Sequence, residues 1–277
     1  MQQEPNAGFA ARLGTQQKLL GGMDAQGRRT NMTEMHVCLS DGTPIAVRPI
    51  QSSELDRIVL RCWPERETLH RLFTTQGTIG MAAWEDERNV AQLHCYRTTA
   101  PDGTEWGGED GPMGGAMGAN WWTGTDRVFQ GWGQWGPRKA DLGLSGPIWC
   151  HACFHVGRTP AEPEENDPRY LGQGIGTALC KASVQWAREH GYVAVVAPGS
   201  PEGVPEFSSW YGHLPWTTYA RLGFRDYPVP PEQTSELPGW ATGSVHEPIA
   251  SEIKQALEGR PLHEILERVM VLDLRDA

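Results

Sequence analysis

The stretch DPRYLGQGIGTAL, residues 167–179, sets glycine at 172, 174 and 176 directly before a run with helical periodicity. Glycine weakens a helix start unless the backbone must adopt a left-handed turn or come close to something. The chemistry such a loop can do is anion binding. Free N–H groups and the helix dipole point outward from a helix N-terminus, and residues without side chains let a phosphate approach them. Two familiar versions do not fit. A dinucleotide fingerprint needs a third glycine where Thr177 stands, and a P-loop needs a Gly-Lys-Ser/Thr triplet that is missing.

A second reactive stretch is PIWCHACFHVG, residues 147–157, with His151, Cys153 and His155 at every other position. Cys150 and Cys153, with His94 and Cys95 upstream, have ligand types that suit zinc. A regular strand sends Cys150 and Cys153 to opposite faces, however, and no second C-x-x-C follows. Buried free thiols and no metal are the expectation.

Elements must position these groups. PIAVRPI (44–50) alternates as a strand, SSELDRIVLRCW (52–63) has helical spacing up to Pro64, and ERETLHRLFTTQG restarts a helix. TIGMAAWED and VAQLHCYRT flank ERN as a hairpin, and residues 147–157 form another strand. The glycine loop then leads into the helix ALCKASVQWAREHG, stopped by Gly191. YVAVVA (192–197) reads as a buried strand, WTTYARLGF as a short helix, and RDYPV and RVMVLDL as closing strands. The order predicts a mixed sheet with helices on its faces, in the α/β or α+β class. Residues 1–36 read as a flexible polar tail before one domain over 37–277, with insertions at about 98–148, 198–213 and 230–262. The first insertion is rich in glycine and carries Trp106, Trp121, Trp122, Trp132 and Trp135, so it is expected to pack on something.

Composition narrows the partners. Lys and Arg total 24 against 34 Asp and Glu, a formal charge of −10. That excludes a nucleic-acid grip built on a basic face. No apolar run approaches the roughly 20 residues that span a membrane, and a secretory leader pattern is missing, so a cytoplasmic protein is expected.

The segment DPRYLGQGIGTALCKASVQWAREHGY resembles the acetyl-CoA pyrophosphate loop and helix of the GNAT superfamily of N-acetyltransferases. TTYARLGFRDY is similar to that family's later Tyr-x-x-x-Gly-Phe segment, RVMVLDL to its closing strand, and AVRPIQSSELDRI to its first strand and helix. The resemblance covers about 37–275 and implies a GNAT-like, mostly antiparallel sheet flanked by helices. Two positions depart from it: Leu171 stands where Arg or Gln is usual, and YGHLPW stands where relatives carry asparagine.

The resemblance implies that acetyl-CoA lies between WCHACFHVG and YVAVVA. Its pyrophosphate would sit on the amides of Leu171, Gly172, Gln173, Gly174 and Gly176 beside Thr177. Backbone groups near Phe154 and Val156 would pair with the pantetheine arm as an added strand does. The implied reaction is attack of a primary amine on the thioester. Tyr219 matches the family tyrosine that faces the sulfur and would protonate the leaving thiolate, the alternative being a packing role. His155, His151 or a relayed water would take the amine proton. A small amine is the expected acceptor, a peptide or protein amine the alternative, and a homodimer stays open. Two other readings compete: a non-catalytic acyl-CoA-sensing module and a zinc-containing interaction protein.

Overall fold

Antiparallel strands run back and forth through the first half of the chain. A computed structural model describes residues 17–23, 29–59, 66–100, 143–160, 165–204, 208–209, 212–227, 251–252, 255–256, 258, 260 and 268–275. The strands are β1 (Gln17–Met23), β2 (Arg29–Cys38), β3 (Pro44–Pro49), β4 (Gly80–Glu85), β5 (Arg88–Ala100) and β6 (Gly146–Val156), then β7 (Ala194–Gly199), β8 (Arg225–Tyr227) and β9 (Arg268–Asp273). Among the described residues they make one sheet in the order β1-β2-β3-β4-β5-β6-β7-β9-β8. Every neighbouring pair is antiparallel except β6 and β7. A parallel pair needs a crossover, and helix α2 (Ile175–Glu189) supplies it. The mixed, mostly antiparallel α+β architecture is the one expected.

Two faces of the sheet are buried by different elements. On one, α2 sets Ile175, Ala178, Leu179, Ala182 and Trp186 against Leu93, Trp149, Phe154 and Val195, joined by Tyr219 and Phe224. Tyr219 belongs to α3 (Trp216–Arg221), so α2 and α3 share this face. On the other, Leu69 and Leu72 of α1 (Arg66–Gln76) pack with Ile50, Tyr96, Ile148, Cys150 and Val196. The loop before α1 also crosses β5 on that side, where the Gln92 side-chain amide donates to the Val59 carbonyl at 2.5 Å and accepts from the Val59 N–H at 3.2 Å.

Three expectations are corrected. The tail reading of 1–36 fails over 17–23 and 29–36, because Gln17–Met23 and Arg29–Cys38 pair as strands and extend the same sheet through β3. Of the helix expected over 52–63, the described part (52–59) holds only a 3-10 turn, at Ser52–Glu54. There the Glu54 carboxylate accepts from both the Gln51 N–H and Arg48, which ties the chain to β3 instead of letting a helix propagate. The alternation assumed for residues 147–157 is also broken. His94 pairs with Cys153 and Cys95 with His151, so Ala152 is an extra, bulged residue. Adjacent residues of β5 face opposite sides, and therefore so do His151 and Cys153. Beyond the bulge Cys153 shares a face with Cys150, the reverse of the regular-strand reading. The five tryptophans of the first insertion lie outside the described residues.

Candidate active site

The glycine loop is held from both ends. On its upstream side the Asp167 side chain accepts from the Arg169 N–H at 2.9 Å, nucleating a 3-10 turn over Pro168–Tyr170. Arg169 ion-pairs with Glu85 at 2.9 Å and Asp41 at 3.2 Å, and the buried Tyr170 hydroxyl donates to Glu85. Gly157 (φ +76°) lets this turn cross β6 closely, since a Cβ there would lie 2.7 Å from the Asp167 carbonyl oxygen. On the loop itself the Gln173 side-chain oxygen accepts from the Ser40 N–H at 3.0 Å. Sequence reasoning had no role for Asp167, Arg169 or Tyr170; the DPRY run that precedes the glycines was their signal.

Within the loop the glycines divide by function. Gly172 (φ +70°) and Gly174 (φ +79°) take left-handed conformations, and a Cβ added to either meets nothing within 4 Å. They curve the chain and leave open space in front of it. Gly176 is different: its Cβ would come 2.9 Å from Leu214, so it is a packing glycine in the first turn of α2. Gly174 is the residue before that helix, and Thr177 lies in its first turn, half-buried. The first N–H groups of a helix have no acceptor within it, so those of the α2 start are directed outward. Leu171 is a correction to the amide set. Its N–H donates to the Pro168 carbonyl at 3.2 Å, and its side chain is exposed.

Next to this loop the sheet opens. β6 pairs with β7 only from Ile148 to Cys150, although β6 runs on to Val156 and β7 to Gly199. Past Cys150 the two strands diverge, and the freed edge of β6 is the place where an extended ligand would add. The Phe154 N–H on that edge is already spent: it donates to the Gly212 carbonyl at 2.6 Å. Gly212 (φ +74°) is there because a Cβ would lie 2.7 Å from the Phe154 carbonyl oxygen. Strand alternation turns the Val156 N–H toward the same edge. An extended ligand added at this edge would meet the Val156 N–H first and would have to displace the Gly212 segment to reach that of Phe154.

Tyr219 and His155 lie on opposite faces. Tyr219 is fully buried on the α2 side, edge-on to Phe224 with ring centroids 5.0 Å apart, so it does pack. Its hydroxyl lies 3.4 Å from Nδ1 of His151. Nε2 of His151 is 3.0 Å from the Ser183 hydroxyl, which accepts from the Trp149 indole N–H at 2.8 Å. Burial pushes His151 down to about 3, so the ring is neutral near pH 7 and a poor acceptor for an ammonium proton. It suits orientation instead. With Ser183 donating to Nε2, the His151 Nδ1–H donates to Tyr219 and leaves the phenol proton for another acceptor. Ser183 escaped sequence reasoning because nothing in a helix period marks one buried serine as a hub.

On the other face, His155 pairs across with Gln92 and His94 with Cys153. The Cys153 sulfur lies 3.2 Å from Nε2 of His155 and 3.4 Å from Nδ1 of His94. His94 is held well below the usual histidine range, first by burial and then by the neighbouring His155.

Comparison with known proteins follows the same segment. Residues 165–201 match the family model described as acetyltransferase (GNAT) family. No curated protein matches the chain. Among solved structures, a Drosophila melanogaster polyamine N-acetyltransferase is 13% identical, with 83% of this chain and 99% of that chain covered and a TM-score of 0.40. An agmatine N-acetyltransferase variant in its apo form gives the same four values. A GNAT-like decarboxylase in complex with isobutyryl-CoA is 15% identical, covering 83% and 99%, with a TM-score of 0.39. Identities and scores this low transfer neither substrate nor mechanism. The matched stretch spans DPRY, the glycine loop, α2 and β7. The likeness to the GNAT acetyltransferase family model lies in this stretch.

Proposed function

We propose that this GNAT-type chain is an N-acetyltransferase that moves the acetyl group of acetyl-CoA to a primary amine of a small molecule in the cytoplasm. The observation that carries the proposal is the pair Gly172 and Gly174, both left-handed and both facing open space at the N-terminus of α2. An anion with several phosphate oxygens matches that combination of outward N–H groups, dipole and missing side chains. The amides of Gly172, Gln173, Gly174 and Gly176 would hold the pyrophosphate, with the Thr177 hydroxyl beside them. The arm would run into the divergence of β6 and β7 along Val156 and, once the Gly212 segment gives way, Phe154.

A thioester in that opening has Tyr219 on one side of the sheet and His155 on the other. The neutral amine attacks the carbonyl carbon, the carbon–sulfur bond breaks, and Tyr219 gives its proton to the departing thiolate. His155 or a water beside it takes the proton the amine loses. Placing the two proton transfers on opposite faces keeps acid and base from neutralising each other. The membrane plays no part in this scheme, and no helix of the described residues is long and apolar enough to cross one. The acidic charge of the chain favours a cationic acceptor.

A thiol-release screen with acetyl-CoA and a panel of diamines, aminoglycosides, amino acids and short peptides tests this reading. Release that depends on one or more small amines is expected. Binding of acetyl-CoA with no release across the panel would make the chain a sensor of acyl-CoA. Release with peptides alone would move the acceptor to a peptide or protein amine.

A further inference from the structure

Two histidines and a cysteine meet on the α1 side of the sheet, and the direct-transfer chemistry just described uses at most one of them. His94 comes from β5, Cys153 and His155 from β6, and all three are buried. The three ligand atoms, one per side chain, lie within 4.8 Å of one another. The bulge at Ala152 is what assembles them. Without the extra residue Cys153 would face α2, and the sulfur would be on the wrong side of the sheet from His94.

From this geometry we propose that His94, Cys153 and His155 form a metal site for zinc or a closely related late first-row divalent ion. The donors are two imidazole nitrogens and a thiolate, a set that suits zinc and does not suit magnesium or calcium, which take oxygen ligands. A tetrahedral ion with a sulfur at about 2.3 Å and a nitrogen at about 2.0–2.1 Å sets those atoms roughly 3.5 Å apart. The two sulfur–nitrogen separations here are 3.2 and 3.4 Å. Ligation forms the metal–sulfur bond and sends the thiol proton to solvent, so binding releases one proton per ion. Three protein ligands leave the fourth tetrahedral position to a water. This set keeps His94 and Cys153 of the ligand types weighed from the sequence, takes His155 in place of Cys150 and Cys95, and departs from the metal-free expectation. One consequence rests on the acyltransferase reading: a loaded site commits His155 to the ion, so the proton acceptor is then the water.

The test uses the full chain, purified with a thiol reductant and no added metal, and needs no acyl-CoA. Metal content is measured by mass spectrometry before and after incubation with zinc and desalting, and cobalt(II) is then titrated into the metal-free protein. Expected are about one retained zinc per chain and a cobalt spectrum with visible tetrahedral bands and a near-ultraviolet thiolate charge-transfer band. The charge-transfer band should vanish in Cys153→Ser and persist in Cys38→Ser, whose thiol is exposed. X-ray absorption of the zinc-loaded parent gives a readout independent of any variant's folding, with one sulfur and two imidazoles in the shell. Failure of the parent to retain zinc or cobalt after desalting would overturn the proposal. So would a shell without sulfur.

Discussion

Tyr219 is asked to do two things, and a single atom separates them. Its ring packs on Phe224 and its hydroxyl meets His151. Tyr219→Phe keeps the ring, so the expected outcome is near-normal acetyl-CoA affinity with turnover lowered by about 10²–10⁴, the usual contribution of a placed general acid. Thiol-release kinetics with the best acceptor decide it: a variant as fast as the parent has lost only packing. Gly174 is the residue-scale counterpart for binding. At φ +79° a valine costs roughly 1–2 kcal/mol in backbone strain and projects into the open space before the loop. Gly174→Val is expected to fold and to lose acetyl-CoA, measured as loss of the thermal shift expected of the parent with the cofactor. Both residues were singled out in the sequence because their neighbours form motifs. The His151–Ser183 support behind Tyr219 was not, since the contact joins a strand and a helix 32 positions apart.

At the scale of elements, β5 and β6 decide which side chains meet. Their pairing shifts register at Ala152, and one extra residue moves Cys153 to the side of His94. Periodicity cannot reveal such a shift, because the sequence on either side still alternates. It shows itself only when the two strands are laid together. The helix expected over 52–63 went wrong for a related reason: Glu54 has a partner in Arg48, and local spacing says nothing about that bond. By contrast the β4–β5 hairpin, α2 and the last strand were legible, being long or strongly patterned. Two substitutions check the packing at this scale. Gly80→Ala would bring a Cβ within 1.9 Å of the Leu93 carbonyl oxygen at φ +141°, so a loss on the order of 3 kcal/mol or more is expected by chemical denaturation. Ser183→Ala removes the acceptor of the Trp149 indole and the partner of His151. It is expected to cost about 1–3 kcal/mol, the penalty for stranding buried polar atoms.

The described residues form one sheet with α2 and α3 on one face and α1 on the other, opened where β6 and β7 part. That single parallel pair is what makes an opening at all, since the surrounding antiparallel ladder is continuous. Its cysteines report on the packing. Burial pushes the Cys95 and Cys180 thiols up, so neither is nucleophilic in the folded state. Brief alkylation at pH 8 is expected to modify the exposed Cys38 and spare these two until denaturant is added, as read by peptide mass spectrometry. The central claim, however, is that the glycine loop at the α2 N-terminus binds acetyl-CoA. Calorimetric titration of acetyl-CoA into the full chain, side by side with Gly174→Val, tests it most directly. The account predicts saturable binding of one molecule per chain in the parent, enough to stabilise it by about 2.7 kcal/mol at a hundredfold excess over Kd, and no binding in a folded Gly174→Val. A parent that gives no binding heat and no thermal shift, or a variant that binds as the parent does, would contradict it.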